Sequence, residues 1–425
     1  MRGRFYVLGN ALRSAAAPDL KAPIGLLPTM SVSSRILLFE EWAACSWETL
    51  RARIESDETL RIVDETDEVC IIRYDKGAGP AHPWTRSVVW DKRRNVPLSV
   101  APPKASVECP YEAWTCAAAK EAIERGELSV ETYEDGFMIQ VYRAVDGQPR
   151  AFEIASRSRR GASGTFYTAK SLATLFQEAY GAQESQESPA EESPAEGTVA
   201  QFWSYVVQHP EHRVVQPFTT PRVVLVQRGV VSASGAVTVW DGFPAVSTEL
   251  PASEESLGDY LRQRIQQQPW WYRGVVIKDA TGQRWRIRSE KYMAIRSLRG
   301  NESSVYERFA RLFTQNLTAI YYEYYPEDMI PFSLCGVFMN DVIHRLHQWY
   351  IGLYVRRDLA FSQIHRVYRP HLYALHGVYL SALRPVGRRV TDQDIRVYLM
   401  GQPPGRIAFL IRQHQDAYHS RPVAV

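Results

Sequence analysis

The sequence predicts an α+β protein: an antiparallel-rich mixed domain followed by an all-α C-terminal domain. Two observations carry this reading. Up to about residue 300, short apolar runs alternate with period two between turn residues, whereas from Glu302 onward the apolar residues recur at three-and-four spacing. A chain of 425 residues, 45% apolar and 23% charged, has the length for two or three cores and the composition of a globular protein.

Taken in order, residues 1–34 are expected to be a disordered tail, with Met30 as an alternative start. The tail's apolar runs, Ala15–Ala17 and Gly25–Leu27, are too short and broken for a secretory core. Leu37, Leu38, Phe39 and Trp42 open a helical pattern that runs through Leu50. Val69–Tyr74 and Ser87–Trp90 read as strands. Tyr111–Arg125 reads as a helix closed by Gly126, the residue type that ends helices in the left-handed region. Phe137–Tyr142, Trp203–Val207 and Arg222–Val226 are strands. Val275–Lys278 and Arg284–Arg288 form a hairpin around Asp279-Ala280-Thr281-Gly282.

In the helical region, Leu334, Val337, Phe338, Val342, Ile343, Leu346, Trp349 and Leu353 fall on one predicted face. Leu372, Leu375, Tyr379, Leu380 and Leu383 do the same. Thr391 and Asp394 make a capping box before Ile395, and Gly405 precedes a last helix with Ile407, Leu410 and Ile411. The expected domains are 35–301 and 302–425. Residues 183–197, QESQESPAEESPAEG, hold five glutamates and no large apolar side chain, so they read as a disordered acidic insertion within the first domain.

Net charge is +3, so nucleic-acid binding would need a local basic surface. The five cysteines are scattered with no C-x-x-C pair, which argues against a zinc cluster and for a reducing, intracellular compartment. No apolar run approaches the roughly 18 residues that span a bilayer, so no membrane partner is expected.

The most informative segment is Tyr133-Glu134-Asp135-Gly136, which leads into the strand Phe137–Tyr142. Asp-Gly alone is a common turn pair. Here it stands among further segments in a fixed order: Thr85-Arg86-Ser87-Val88-Val89-Trp90, Ala101-Pro102-Pro103-Lys104, Ala155-Ser156-Arg157-Ser158, His209–Val215, Arg273-Gly274-Val275-Val276 and Arg284-Trp285-Arg286. Over about Arg73–Asn301 this series resembles the phage-type RNA ligase family, within the ATP-dependent covalent nucleotidyltransferases. It is most similar to RNA-ligase-like proteins of large DNA viruses. The resemblance implies a nucleotidyltransferase (ATP-grasp-like ligase) domain that uses ATP and Mg²⁺ and acts on RNA. It places the nucleophile at Tyr133 and nucleotide or phosphate contacts at Glu134, Asp135, Gly136, Arg86, Arg157, Arg273, Lys278, Arg284 and Arg286.

The departures fall on the chemistry. The family attacks the α-phosphate of ATP with a lysine amine, and Tyr133 stands in that place. The two metal-binding glutamates fall on Val206 and Arg273, so the case for Mg²⁺ is weak and no metal ligands are expected. Two phosphate-binding lysines become Arg284 and Arg286, which still hold phosphate through a planar fork.

Other features stay open at this stage. Arg284, Arg286 and Arg288 share one face of a strand, as a phosphate-binding wall or a solvated face; Lys278, Arg296 and Arg299 could extend it. The C-terminal domain has arginine but no lysine, with tyrosine, tryptophan and histidine interleaved. That composition suits RNA or a protein partner equally. Tyr321–Tyr325 reads as core. His344 and His347 stand three apart on one predicted helix, a spacing that could share a metal, but they read as surface or core histidines. The leading expectation is a divergent RNA-ligase-like pseudoenzyme retained as a nucleotide- or RNA-binding or structural module. The alternatives are an atypical active ligase using Tyr133, Lys104, Lys120 or Lys278, and a scaffold in a virion or other assembly.

Overall fold

The computed structural model describes residues 33–75, 77, 82–146, 148–149, 151–182, 194–241 and 250–419. The expected tail up to residue 32, Met30 and most of the acidic insertion lie outside the described residues. The chain divides into two compact units, the first ending at Ile295 and the second beginning at Arg296.

Among its described residues the first unit holds three antiparallel sheets. Its strands are β1 (Ser33–Ile36), β2 (Leu60–Val63), β3 (Val69–Tyr74), β4 (Val88–Asp91), β5 (Val96–Val100), β6 (Leu128–Thr132), β7 (Phe137–Asp146), β8 (Gln148–Pro149), β9 (Glu153–Ser156), β10 (Arg159–Arg160), β11 (Thr198–Gln208), β12 (Arg222–Ser232), β13 (Val237–Asp241), β14 (Gly274–Asp279) and β15 (Arg284–Arg288). The large sheet runs β1-β13-β12-β11-β7-β9-β10, with β8 on β7; the others run β2-β3-β4-β5 and β15-β14-β6.

The strands form because their two faces are sorted. In β11, Trp203, Tyr205 and Val207 pack with Phe176 and Ala179 of the helix Leu172–Gly181. Ala200 and Phe202 point the other way, into a core with Phe39, Trp42, Ile71 and Trp90. In the small sheet, Leu128, Val130, Val275, Ile277 and Ile287 pack against the helices Cys116–Glu124 and Leu257–Gln266. Period-two alternation then sends Glu131, Lys278, Arg284, Arg286 and Arg288 to the opposite face. The helices start at side-chain caps: Thr115 and Ser256 accept from Ala118 N and Asp259 N, each at 3.1 Å.

Among its described residues the second unit has helices and no strand, the longer helices being Val305–Thr314, Thr318–Tyr324, Met329–Tyr350, Arg369–Val378, Asp392–Met400 and Pro404–His419. The Thr391–Asp394 capping box forms reciprocally.

Three readings need correction. The pattern Leu37–Leu50 is two helices, Leu38–Ala43 and Trp47–Ser56, because Ser46 caps a new start. Tyr111–Arg125 begins as a separate 3₁₀ turn, Pro110–Ala113, before Thr115 caps the α-helix. In Met329–Tyr350 the buried face is Phe332, Cys335, Met339, Val342, Ile343, Leu346 and Tyr350, while Leu334 and Val337 are 54% and 61% exposed. This helix is apolar around most of its circumference, so the spacing alone leaves its rotation undecided. The backbone also turns to π-helix at Ile351–Arg356 and Tyr379–Leu383, which shifts the expected phase of Leu353 and of Leu380.

Candidate functional site

Tyr133 follows β6, its amide donating to Gly274 O at 2.9 Å, so it sits on the charged side of the small sheet. The Arg273 guanidinium lies 3.7 Å from the Tyr133 ring centre and Arg288 6.0 Å from it. Arg273 Nη1 donates to Glu134 O at 2.5 Å, which fixes the guanidinium over the ring. Arg286 Nη1 donates to Ala105 O, and its charge acts on the Tyr133 phenol. Burial pushes the Tyr133 phenol up, but Arg273, Arg288, Arg286 and Arg86 together hold it below its ordinary value.

Arg86 joins this group to a second one. Burial pulls its guanidinium down to about 10, and Tyr133, Arg284, Tyr74 and Arg157 all act on its charge. Ser87 Oγ donates to Arg157 O at 3.0 Å, and the Arg157 guanidinium lies 4.6 Å from the Tyr74 ring. Arg73 acts on Arg157 in turn, whose pKa burial lowers. Burial and Arg288 lower Arg286. Seven arginines thus converge: Arg73, Arg86, Arg157, Arg273, Arg284, Arg286 and Arg288. Among the described residues, none of them has an ion pair with a carboxylate.

Their donors are also left over. Arg73 Nε and Nη1, Arg157 Nε and Nη2, and the Nε atoms of Arg284, Arg286 and Arg288 are buried and have no hydrogen-bond partner among the described residues. A buried donor without an acceptor costs about 1–3 kcal/mol. A group of such donors on neighbouring like charges is the arrangement that a multivalent oxyanion satisfies.

The remaining expected residues are engaged within the chain. Asp135 is 2% exposed; its Oδ2 accepts from Val215 N (3.0 Å) and Gln216 N (2.9 Å), and its Oδ1 from Tyr292 Oη (2.6 Å) and Gly136 N (3.1 Å). That fills its acceptor sites and ties three segments together. Glu134 accepts from Gln208 Nε2 at 2.7 Å, and burial raises its pKa. Gly136 has φ +139°, and a Cβ there would lie 2.3 Å from Val207 O, so only glycine lets the chain pass β11 this closely. Lys278 is buried and pairs with Glu131 at 2.7 Å, which holds its amine away from any other role.

Lys120 is exposed on the helix Cys116–Glu124, across the small sheet from the arginines. Lys104 is exposed two residues before Ser106, which pairs with Trp285. Arg296 bonds Gly300 O and Asn301, and Arg299 bonds Asp328; both belong to the second unit. Sequence reasoning missed Arg73 and Tyr74 as site residues. The available signal was one charged residue inside the otherwise apolar strand β3.

The positions implied for metal carboxylates do not suit a divalent cation. Val206 lies in an apolar cluster with Met138, Val224 and Val226, and Arg273 is itself a cation. Magnesium needs oxygen ligands at close range, and Asp135, Glu134 and Glu131 already have partners. A separate group, Glu178, His209 and Glu211, could hold a metal by distance, but Lys170 pairs with both glutamates at 3.0 and 2.5 Å. In the second unit, His347 pairs with Asp392 at 2.5 Å and His344 approaches it at 3.9 Å, so a carboxylate does stand beside these histidines. Tyr321 and Tyr325 are fully buried and stack at 4.7 Å, as expected for core. All five cysteines are free thiols.

No protein-family model matches the chain, and no curated protein matches it. Among solved structures it is similar to an archaeal ATP-dependent RNA ligase, form 1, at 10% identity over 87% of this chain and 79% of that one, with a TM-score of 0.29. At that score the overlap is too loose to carry residue roles across. No described helix is long and apolar enough to cross a membrane.

Proposed function

We propose that this chain is a divergent RNA-ligase-like protein that binds the phosphates of a nucleotide or of RNA and forms no lysyl-AMP. The carrying observation is the group of seven arginines linked through Tyr133, Arg86 and Arg157, five of which keep buried donors without an acceptor among the described residues. The ordered motif series supports the ligase-like assignment of the domain. The lysine for covalent transfer is replaced by Tyr133, and Lys278 is held by Glu131. Asp135 and Gly136 shape the wall rather than touch the ligand. ATP is the nucleotide the motif series suggests. The arginine- and aromatic-rich second unit suits either RNA or a protein partner.

The test is equilibrium binding of tripolyphosphate or ATP to the full chain and to an Arg284→Gln/Arg286→Gln variant. Saturable binding that weakens at least about tenfold in the variant is expected, the value of one lost charge-assisted hydrogen bond. Binding that is absent, or indifferent to the double substitution, would overturn the proposal.

One observation favours a second reading. Four guanidiniums stabilise a Tyr133 phenolate, and this is how a weak nucleophile is activated. Attack of its oxygen on the α-phosphorus of ATP, with pyrophosphate leaving, would give tyrosyl-AMP. ATP-dependent RNA sealing that Tyr133→Phe abolishes would replace the first reading with this one.

A further inference from the structure

We infer that the arginine group takes its polyphosphate without a metal, and that Mg²⁺ competes with the protein for the ligand instead of assisting it. This rests on the phosphate-binding reading above and specifies its ligand as the uncomplexed polyphosphate anion.

A polyphosphate bound with Mg²⁺ hands part of its charge to the cation, and the cation then needs oxygen ligands or room for its waters. The surroundings offer neither kind of protein ligand. At the two positions where the motif series places carboxylates stand Val206, in an apolar cluster, and Arg273, whose guanidinium covers Tyr133 at 3.7 Å and is anchored to Glu134 O. The neighbouring carboxylates are engaged: Asp135 by two backbone amides and Tyr292, Glu134 by Gln208, Glu131 by Lys278. Cations are supplied by the chain itself, as guanidiniums whose buried donors lack acceptors. Arg273 in particular puts a fixed positive charge where a metal ligand would otherwise draw in a mobile one. An added Mg²⁺ therefore meets like charge, and every phosphate oxygen it takes is lost to an arginine.

The experiment is calorimetric titration of the full chain with inorganic tripolyphosphate and with ATP, in EDTA and in excess Mg²⁺ at matched ionic strength. The wild-type chain is expected to bind both in EDTA and to bind at least about tenfold more weakly in Mg²⁺, one charge-assisted hydrogen bond's worth. In an Arg273→Glu variant, confirmed as folded by circular dichroism, the Mg²⁺ penalty should shrink or reverse. Binding in EDTA that Mg²⁺ leaves unchanged or strengthens overturns this inference while leaving phosphate binding intact. Absence of binding under both conditions overturns phosphate binding and this inference together. A penalty of the same size in Arg273→Glu overturns the part assigned to Arg273.

Discussion

Replacing Asp135 with alanine should damage the fold of the first unit before it affects any ligand. The carboxylate serves Val215 N, Gln216 N, Tyr292 Oη and Gly136 N from a position 2% exposed. Removing it strands two backbone amides and a buried hydroxyl, at roughly 1–3 kcal/mol each, so the expected cost is about 4 kcal/mol. In a unit of this size each kcal/mol lowers Tm by about 2–4 °C, which gives a drop of about 8–16 °C. Asp135→Asn keeps one acceptor and should lose about half as much. Differential scanning calorimetry reads the shift, and tripolyphosphate titration below the transition reads the ligand. A Tm within about 2 °C of wild type, together with a tenfold change in affinity, would show that the carboxylate faces the ligand and would refute this assignment.

Further outcomes follow from the same geometry. Gly136→Ala should cost about 3 kcal/mol, from positive-φ strain and the clash with Val207 O, seen as a lower denaturant midpoint at unchanged slope. In the second unit Asp328 pairs with Arg299 at 2.5 Å and Arg308 at 2.7 Å; Asp328→Asn removes the carboxylate charge that both buried guanidiniums share, for a loss of about 3 kcal/mol in chemical melts. Burial, aided by Arg406, pushes buried His371 down to about 4, so it folds neutral. The unfolded chain then takes up the proton first as pH falls. Stability is full above about 6.5 and falls by up to ~3 kcal/mol as pH drops to about 4. Urea melts across that window should show this slope in the wild type and a shallower one in His371→Gln.

The sequence carries the alternation of β15 openly, and with it the shared face of Arg284, Arg286 and Arg288. It also carries the hairpin, the capping box and the change from strand to helix, because each is a local pattern. What it hides is non-local. The donors that Val215, Gln216 and Tyr292 bring to Asp135 lie 80 to 157 residues along the chain from it, and Glu131 meets Lys278 only because β6 pairs with β14. Arg73 and Tyr74 enter the site through packing against Arg157, which no spacing in β3 announces. The helix Met329–Tyr350 gives the opposite case, a clear period whose phase stays ambiguous because apolar residues cover nearly every face.

The decisive measurement is incubation of the folded chain with ATP radiolabelled in its α-phosphate, with Mg²⁺ or Mn²⁺, followed by denaturing electrophoresis. No labelled protein band is expected, alongside saturable ATP binding by the same preparation in EDTA. An acid-labile band would reveal a lysyl phosphoramidate, and an acid-stable band lost in Tyr133→Phe a tyrosyl ester. Either band would contradict a site built to hold phosphate without bonding to it.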